Sequence, residues 1–562
     1  MSEINPGLIL IIGALLVPVL PMALRRAYLL ALPIIGFAAV YGLEPGTLVT
    51  AQAFGMTFEL LRVDKLALVW GYIFNIAAFL ALLFAWHERD TMQQVAAPIY
   101  AGAAIGAVFA GDLVTLFVYW ELTAISSVFL IWASRTASAY RTGMRYLLIQ
   151  VGSGVILMSG VLIWAADTGS IDFDHIGIET LAGKLIFIAF GIKCAFPLLH
   201  NWLQDSYPEA TITGTVVLSA FTTKLAIYAL ARGFAGTELL IYIGAAMTIY
   251  PVFYSAIEND LRRLLAYSLN DQLGFMVVGV GIGTELALNG TAAHAVNHIL
   301  YKALLFMAVG AVIYRVGTGK ASALGGLYKS MPLTALFCII GSASISAFPL
   351  MSGYVSKSMI LAAVGEEHMT MIWAILLFAS AGVFLTCGIK VPYYAFFNRD
   401  SGHRVKEAPW NMLAAMGITA FLCVYIGVQP GILYSILPFP VTYQPYSVYH
   451  VINQLQILGY AGLVFGLAAY FKMLPKVEDR IYLDTDWFYR RLAPCVIGII
   501  GRWIGSLDRM IRGETLSLLR DVMASIERQY GARSNLSGTM QVGTMALIVA
   551  GILLLFLLAS FF

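Results

Sequence analysis

The chain has 562 residues, 60% of them hydrophobic and only 12% charged, with a mean hydropathy of +0.82. Soluble domains carry about 25% charged residues, so this composition excludes a soluble globular protein and indicates a polytopic membrane protein. The formal net charge of +3 is set by loops, and no nucleic-acid partner is expected.

A membrane span needs about 20 apolar residues. By that measure about sixteen spans are predicted. In chain order they centre on 7–24, 27–43, 64–86, 95–111, 113–134, 144–167, 182–203, 211–233, 236–256, 262–284, 292–315, 331–364, 371–397, 409–429, 455–472 and 542–562. Met1-Ser-Glu-Ile-Asn-Pro6 is not a basic leader, so the first run is expected to stay in the membrane. With the N-terminus outside, the inside loops hold Arg25-Arg26, Arg89, Arg135, Arg141, Arg145, Arg262-Arg263, Arg315, Lys320, Lys329, Arg399, Arg404 and Lys406. The outside loops hold Asp167, Asp172, Asp174, Glu179 and Glu366-Glu367. This alternation follows the positive-inside rule. An even span count returns the C-terminus to the outside of a cell inner (plasma) membrane.

Two spans are interrupted by the same tripeptide, Phe196-Pro-Leu198 and Phe348-Pro-Leu350. Each carries a membrane lysine, Lys193 before its break and Lys357 after it. Paired broken spans at corresponding places indicate inverted repeats. The expected division is 1–90, N-terminal spans; 91–235, first repeat; 236–400, second repeat; 401–472, C-terminal spans; 473–541, an amphipathic segment; 542–562, a last span. Within 473–541, Leu516, Leu519, Met523, Ile526 and Tyr530 recur at three- and four-residue spacing among arginines, the pattern of a helix lying in the interface or along a neighbouring subunit.

Charged groups inside a bilayer cost several kcal/mol or more and mark functional sites. Glu121 and Lys193 are central to their spans. Lys224, Lys302 and Lys357 are also candidates, although a lysine near a span end can instead snorkel to the surface. His294, His298 and Lys302 fall at i, i+4 and i+8, on one helical face. The two histidines lack the intervening glutamate of HExxH and a third ligand, so no metal is expected. His200, just after the first break, and Asp271, early in its span, are accessory candidates; Asp271 can equally cap or line a polar entry. Five scattered cysteines form no CxxC pair. No P-loop or GxGxxG motif occurs, and no cofactor is expected.

At these residues a family resemblance emerges. Tyr119-Trp-Glu-Leu122, the Lys193-x3-Pro-Leu-Leu-His-x-Trp-Leu-x-Asp-Ser-Tyr207 run, Thr223-Lys-Leu-Ala-Ile-Tyr-Ala-Leu230, Asp260-Leu-Arg-Arg-Leu-Leu-Ala-Tyr-Ser268 and His298-x3-Lys-Ala-Leu-Leu-Phe306 resemble the antiporter-like subunits. That family is shared by Mrp-type cation/proton antiporters, respiratory complex I and membrane-bound hydrogenases, and the match covers roughly residues 60–430. The resemblance implies an all-α fold of about 14 core helices, with two inverted five-helix repeats around a polar axis. It further implies Glu121 and Lys193 as a pump pair, Lys224 and the His294/His298 region as relay, and Lys357 as the ionisable group of the second half.

The 223–230 motif and Lys390-Val-Pro-Tyr-Tyr-Ala-Phe-Phe397 look like the D-type subunit of Mrp antiporters, whereas Ser356-Lys357 and the amphipathic segment look like the distal antiporter-like subunit of complex I. Two positions depart from the family pattern. Glu209-Ala-Thr-Ile212 replaces Glu-Ala-Pro, and Asp271 stands where serine is common. The expected function is a proton-translocating subunit of a multisubunit Na+/proton antiporter rather than an enzyme by itself. Its expected partners are other membrane subunits, protons, Na+ and the lipid bilayer. Alternatives are a pump subunit of complex I or a hydrogenase, and a proton path in a bicarbonate-accumulating complex.

Overall fold

The computed structural model describes residues 4–53, 55–473, 483–531 and 540–561. The described chain divides into a large unit, Met1–Tyr482, and a small one, Leu483–Phe562. The large unit opens with α1 (Gly7–Leu16), α2 (Met22–Tyr41) and, after a hairpin, α3 (Lys65–Phe84). Next come α4 (Thr91–Val108), α5 (Leu113–Trp132), α6 (Ala137–Thr168), α7 (Leu181–Cys194), α8 (Asn201–Glu209), α9 (Ile212–Ala220) and α10 (Thr222–Gly233). A second series holds α11 (Leu239–Ile257), α12 (Leu261–Ile282), α13 (Glu285–Val316), α14 (Pro332–Ile345), α15 (Ser352–Glu366) and α16 (Thr370–Val383). The unit closes with α17 (Trp410–Val428), α18 (Pro430–Tyr434) and α19 (Val448–Tyr470).

Every predicted span falls on one of these helices, on a broken pair, or on the last helix of the small unit. Among the described residues, eleven helices are long and apolar enough to cross a membrane. The protein is a mostly helical membrane protein.

The two series repeat each other in detail. α6 and α13 both have 32 residues, both start at a threonine cap (Thr136, Thr284) and both end at a left-handed glycine (Gly169, Gly317). Only glycine adopts that conformation without a Cβ penalty. α5 and α12 both start at an aspartate cap, Asp112 and Asp260, and those caps pair with the backbone of Asp172 and Lys320. α7 and α14 both have 14 residues and stop in the same way. Ala195 and Ala347 turn left-handed at φ 62° and 56°, and Leu198 and Leu350 do so at φ 71° each. The Phe196 N–H donates to Gly191 O, and the Phe348 N–H donates to Ala343 O, each at 3.0 Å. These six-to-one bonds close off the helix end, and the following Pro197 and Pro349 cannot continue it.

Two features depart from the sequence pattern. The stretch between α2 and α3 is a hairpin of β1 (Leu48–Ala53) and β2 (Met56–Arg62), where no strand is expected. The predicted span 211–233 is split at Phe221, with neither proline nor glycine at the break. Asp112 ties the hairpin to the bundle. Its carboxylate accepts from the backbone N–H of Glu59 at 2.8 Å, of Val114 at 2.9 Å and of Thr115 at 2.7 Å, and from the Thr115 hydroxyl at 2.6 Å. Asp112→Ala should therefore cost about 2 kcal/mol, the loss of a helix cap plus an orphaned buried donor. A lowered thermal-unfolding midpoint of the solubilised protein checks this.

A polar loop joins α16 to α17. Asp400 accepts from Arg404 Nη2 at 2.6 Å and Nη1 at 2.9 Å, and from the Gly402 N–H at 2.9 Å. The Arg404 hydrogen bonds, then Gly402, hold this carboxyl below the usual carboxylate range. A carboxyl with a depressed folded value stabilises above its unfolded value, about 3.9, and loses that contribution as pH falls. Amide exchange across 398–406, corrected for intrinsic rate, should stay constant down to about pH 5 and quicken below about pH 4.

The small unit contains α20 (Ala493–Tyr530) and α21 (Val542–Ala559), neither with a buried residue. Leu516, Leu519, Met523, Ile526 and Tyr530 all lie on α20. Of the predicted amphipathic segment, 474–482 and 532–539 lie outside the described residues.

Candidate functional site

Glu121 lies midway along α5, and Lys193 in the last turn of α7, next to its left-handed end. Lys193 is fully buried. Its Nζ donates to Trp120 O at 2.5 Å and to Thr123 Oγ1 at 3.0 Å, and stands 4.3 Å from the centre of the Trp120 ring. A carbonyl, a hydroxyl and an aromatic face thus take up an ammonium that lacks bulk water. The Glu121 carboxylate turns towards α6. There Gly154 leaves the space it fills, since a Cβ at 154 would overlap Oε1. Glu121 Oε1 has no hydrogen-bond partner, nor do the buried side-chain amide atoms of Gln150, one turn earlier on α6. Glu121 and Lys193 are each other's charged neighbours but lie beyond ion-pair distance in this structure.

The next ammonium, Lys224, follows the break at Phe221. Its Nζ donates to Ser219 O at 2.5 Å, a carbonyl that the interrupted helix leaves free. Its titratable neighbours are Lys302 and the Cys194 thiol. On α13, Lys302 Nζ donates to Ser268 Oγ at 2.9 Å. His294 and His298 have parallel rings with centroids 6.2 Å apart. His294 Nδ1 lies 3.0 Å from Ser356 Oγ, and its Nε2 lies 3.3 Å from both Gln272 Oε1 and Tyr301 OH. Both ring nitrogens of His298 lack a partner. The charged groups facing His298 are Lys224, Lys302, His294 and Lys357. Its electrostatic neighbours thus come from both series.

Lys357 lies early in α15, its Nζ donating to Ile345 O at 3.1 Å at the end of α14. The adjoining carbonyl, Ser346 O, accepts from Gln454 Nε2 at 3.2 Å. A cavity of about 540 Å³ between α15, α16 and α19 reaches Lys357 and is lined also by Ser358, Trp373, His450 and Gln454. Asp271 is fully buried on α12. His200 packs on Tyr250, ring centroids 4.7 Å apart. Among the described residues, no group of three His, Cys, Asp or Glu side chains is placed to hold a metal ion.

Several members of this network do not emerge from the sequence. Gln272 and Tyr301 are neutral and look unremarkable in an apolar run, and Ser268 and Ser356 stand in the motifs above with no role of their own; Tyr301, seven residues after His294 and so on its face, is the one with a signal. Beyond α16 the helix continues in π-helical form over Phe384–Lys390. Lys390 Nζ there donates to Ser255 O, Ala256 O and Glu258 O at 3.1, 2.8 and 2.8 Å, capping α11. A cation at a helix C-terminus satisfies orphan carbonyls and the dipole together. Lys390 therefore has a structural task.

Residues 110–385 match the family described as NADH:quinone oxidoreductase/Mrp antiporter, TM. A probable K(+)/H(+) antiporter A/B-type subunit of Rhizobium meliloti (strain 1021) is 29% identical over 471 residues, covering 77% of this chain. The chain spans 46% of that relative's length. The D-type subunit of the Na(+)/H(+) antiporter of Alkalihalophilus pseudofirmus is 30% identical over 380 residues, which cover 63% of this chain and 76% of that one. A chain in the structure of the Mrp complex from Dietzia sp. DQ12-45-1b has the same fold, with a TM-score of 0.71 at 21% identity over 82% of this chain and 98% of that one. The chain belongs to the NADH:quinone oxidoreductase/Mrp antiporter transmembrane family.

Proposed function

We propose that this chain is the proton-translocating subunit of a multisubunit monovalent cation/proton antiporter in a cell inner membrane. The observation that carries this reading is the row of buried ammonium groups, Lys193, Lys224, Lys302 and Lys357, with His298 electrostatically between the first series and the second. Four lysines buried together are costly for stability and contribute nothing to packing that leucine would not. They make sense as stations that hold a proton in turn. The step is charge switching: with Glu121 apart from Lys193, the lysine gives up its proton to Lys224 in its neutral amine form, and each later station, past His298 and His294 to Lys357, accepts a proton only after releasing its own. We read the two series, α4–α10 and α11–α16, as inverted repeats that each supply part of the path. α20, all of whose residues are accessible, serves as a lateral helix along neighbouring subunits, and α21 as a further span. Both termini face outside. The related antiporter subunits in multisubunit complexes support membrane partners here.

The test is mild-detergent isolation of the native assembly, with mass spectrometry of its subunits and assay of proton movement in everted vesicles. Small membrane subunits, together with proton efflux that needs added Na+ or K+, are expected. Flavin or iron–sulfur subunits, with no cation-dependent exchange, would replace this reading with that of a redox-driven pump.

A further inference from the structure

The two series carry their charges at different places. Thr123 and Asp271 each lie eleven residues beyond the aspartate that caps its helix, Asp112 on α5 and Asp260 on α12. In the first series that position meets the lysine: Thr123 Oγ1 is 3.0 Å from Lys193 Nζ. In the second series it holds a carboxylate, and the lysine has moved across the break, from the end of α7 to the start of α15. The positive groups facing Asp271 are Lys357 first and Lys302 second; Tyr301 and the Cys387 thiol are its other titratable neighbours.

Hydrogen bonds lead from Asp271 round to Ser356, which precedes Lys357 in the chain. Gln272 Nε2 donates to Asp271 Oδ2 at 2.5 Å, and Gln272 Oε1 accepts from Tyr301 OH at 3.2 Å. The same oxygen is 3.3 Å from His294 Nε2, and His294 Nδ1 is 3.0 Å from the hydroxyl of Ser356, the residue adjoining Lys357. The other carboxylate oxygen, Asp271 Oδ1, is buried and has no partner. A carboxylate used only for structure would have both oxygens satisfied, because an unmet buried acceptor is expensive.

We propose that Asp271 and Lys357 form a second proton-exchanging pair, so that each half of this chain holds its own carboxylate and lysine. In the forward step the proton leaves Lys357 Nζ and binds Asp271 Oδ1. The ammonium becomes an amine and the carboxylate a carboxylic acid, with no change in total charge. The neutral pair is the form a low-dielectric interior tolerates best, and the reverse step restores the ions. Lys357 also lines the 540 Å³ cavity, which gives the pair an opening. This inference rests on the proton-translocating reading above.

The test uses the assembled complex in vesicles, with transport normalised to the amount of complex and followed against pH. Asp271→Asn should lower proton transport at least tenfold and remove a carboxylic C=O band, sensitive to hydrogen–deuterium exchange, from infrared difference spectra. Asp271→Glu should restore transport with a displaced pH profile. Asp271→Ser supplies a hydroxyl as Thr123 does; it should lose transport as Asp271→Asn does, and carries the test should the asparagine variant fail to assemble. Wild-type transport in the asparagine or serine variant, or an unmoved pH profile in Asp271→Glu with no carboxylic band in the wild type, would overturn the pair. Full transport in Asp271→Asn alongside loss in Lys193→Ala overturns this inference alone. Full transport in both variants overturns the proton-relay reading as well.

Discussion

Replacing Lys193 by alanine should lower cation-dependent proton transport by about 10²-fold or more, the usual range for losing a positioned proton carrier, while the complex still assembles. Assembly should survive because the lysine's partners satisfy each other. Thr123 Oγ1 already donates to Trp120 O at 2.7 Å, so removing the ammonium leaves neither group orphaned. It also takes away the cost of a buried cation, and the unfolding midpoint should hold or rise. Lys193→Arg is the discriminating variant. Arginine keeps the positive charge but does not release its proton, so it should be as inactive as alanine if Lys193 passes a proton onward. Wild-type transport in the arginine variant would reduce Lys193 to a fixed charge.

Gly154→Ala should cost at least tenfold in transport although position 154 carries no chemistry of its own. The new methyl would overlap the Glu121 carboxylate and push it from its place between α5 and α6. Overpacking of this kind costs about 1–3 kcal/mol in stability, and the displaced acid no longer faces Lys193 in the same way. A shorter acid should relieve the clash. Glu121→Asp combined with Gly154→Ala should therefore be more active than the product of the two single effects predicts, the signature of residues that share space. Initial rates of proton efflux in the four-protein cycle decide it; simple additivity would mean that Gly154 acts elsewhere.

Much of the site was legible because its chemistry is conspicuous in an apolar chain. A lysine or glutamate within a membrane run stands out by cost alone, and the two Phe-Pro-Leu breaks are marked by proline. Lys193, Lys224, Lys302 and Lys357 are all buried, as the spans containing them suggest. Hydropathy says little about pairing. Nothing along the chain indicates that Lys193 binds Trp120 O and Thr123 rather than Glu121, because that depends on how far α7 is rotated against α5. Gln272 and Tyr301 escape notice for the opposite reason: neutral polar residues cost little and are common in spans. The split at Phe221 has no proline or glycine, and the hairpin at 48–62 lies between two apolar runs whose lengths account for the chain without it. The π-helical turns that place Lys390 have no sequence signature at all.

The halted end of α14 has an electrical consequence. A helix stopped inside the bilayer holds a partial charge of about −0.5 at its last carbonyls, and two of those, Ile345 O and Ser346 O, face Lys357 and Gln454. A carboxylate stops attracting a cation once it is protonated, whereas a helix end has no proton to gain. The break thus provides a permanent negative potential beside the cavity. A positive charge can rest there whatever the state of its acidic neighbours.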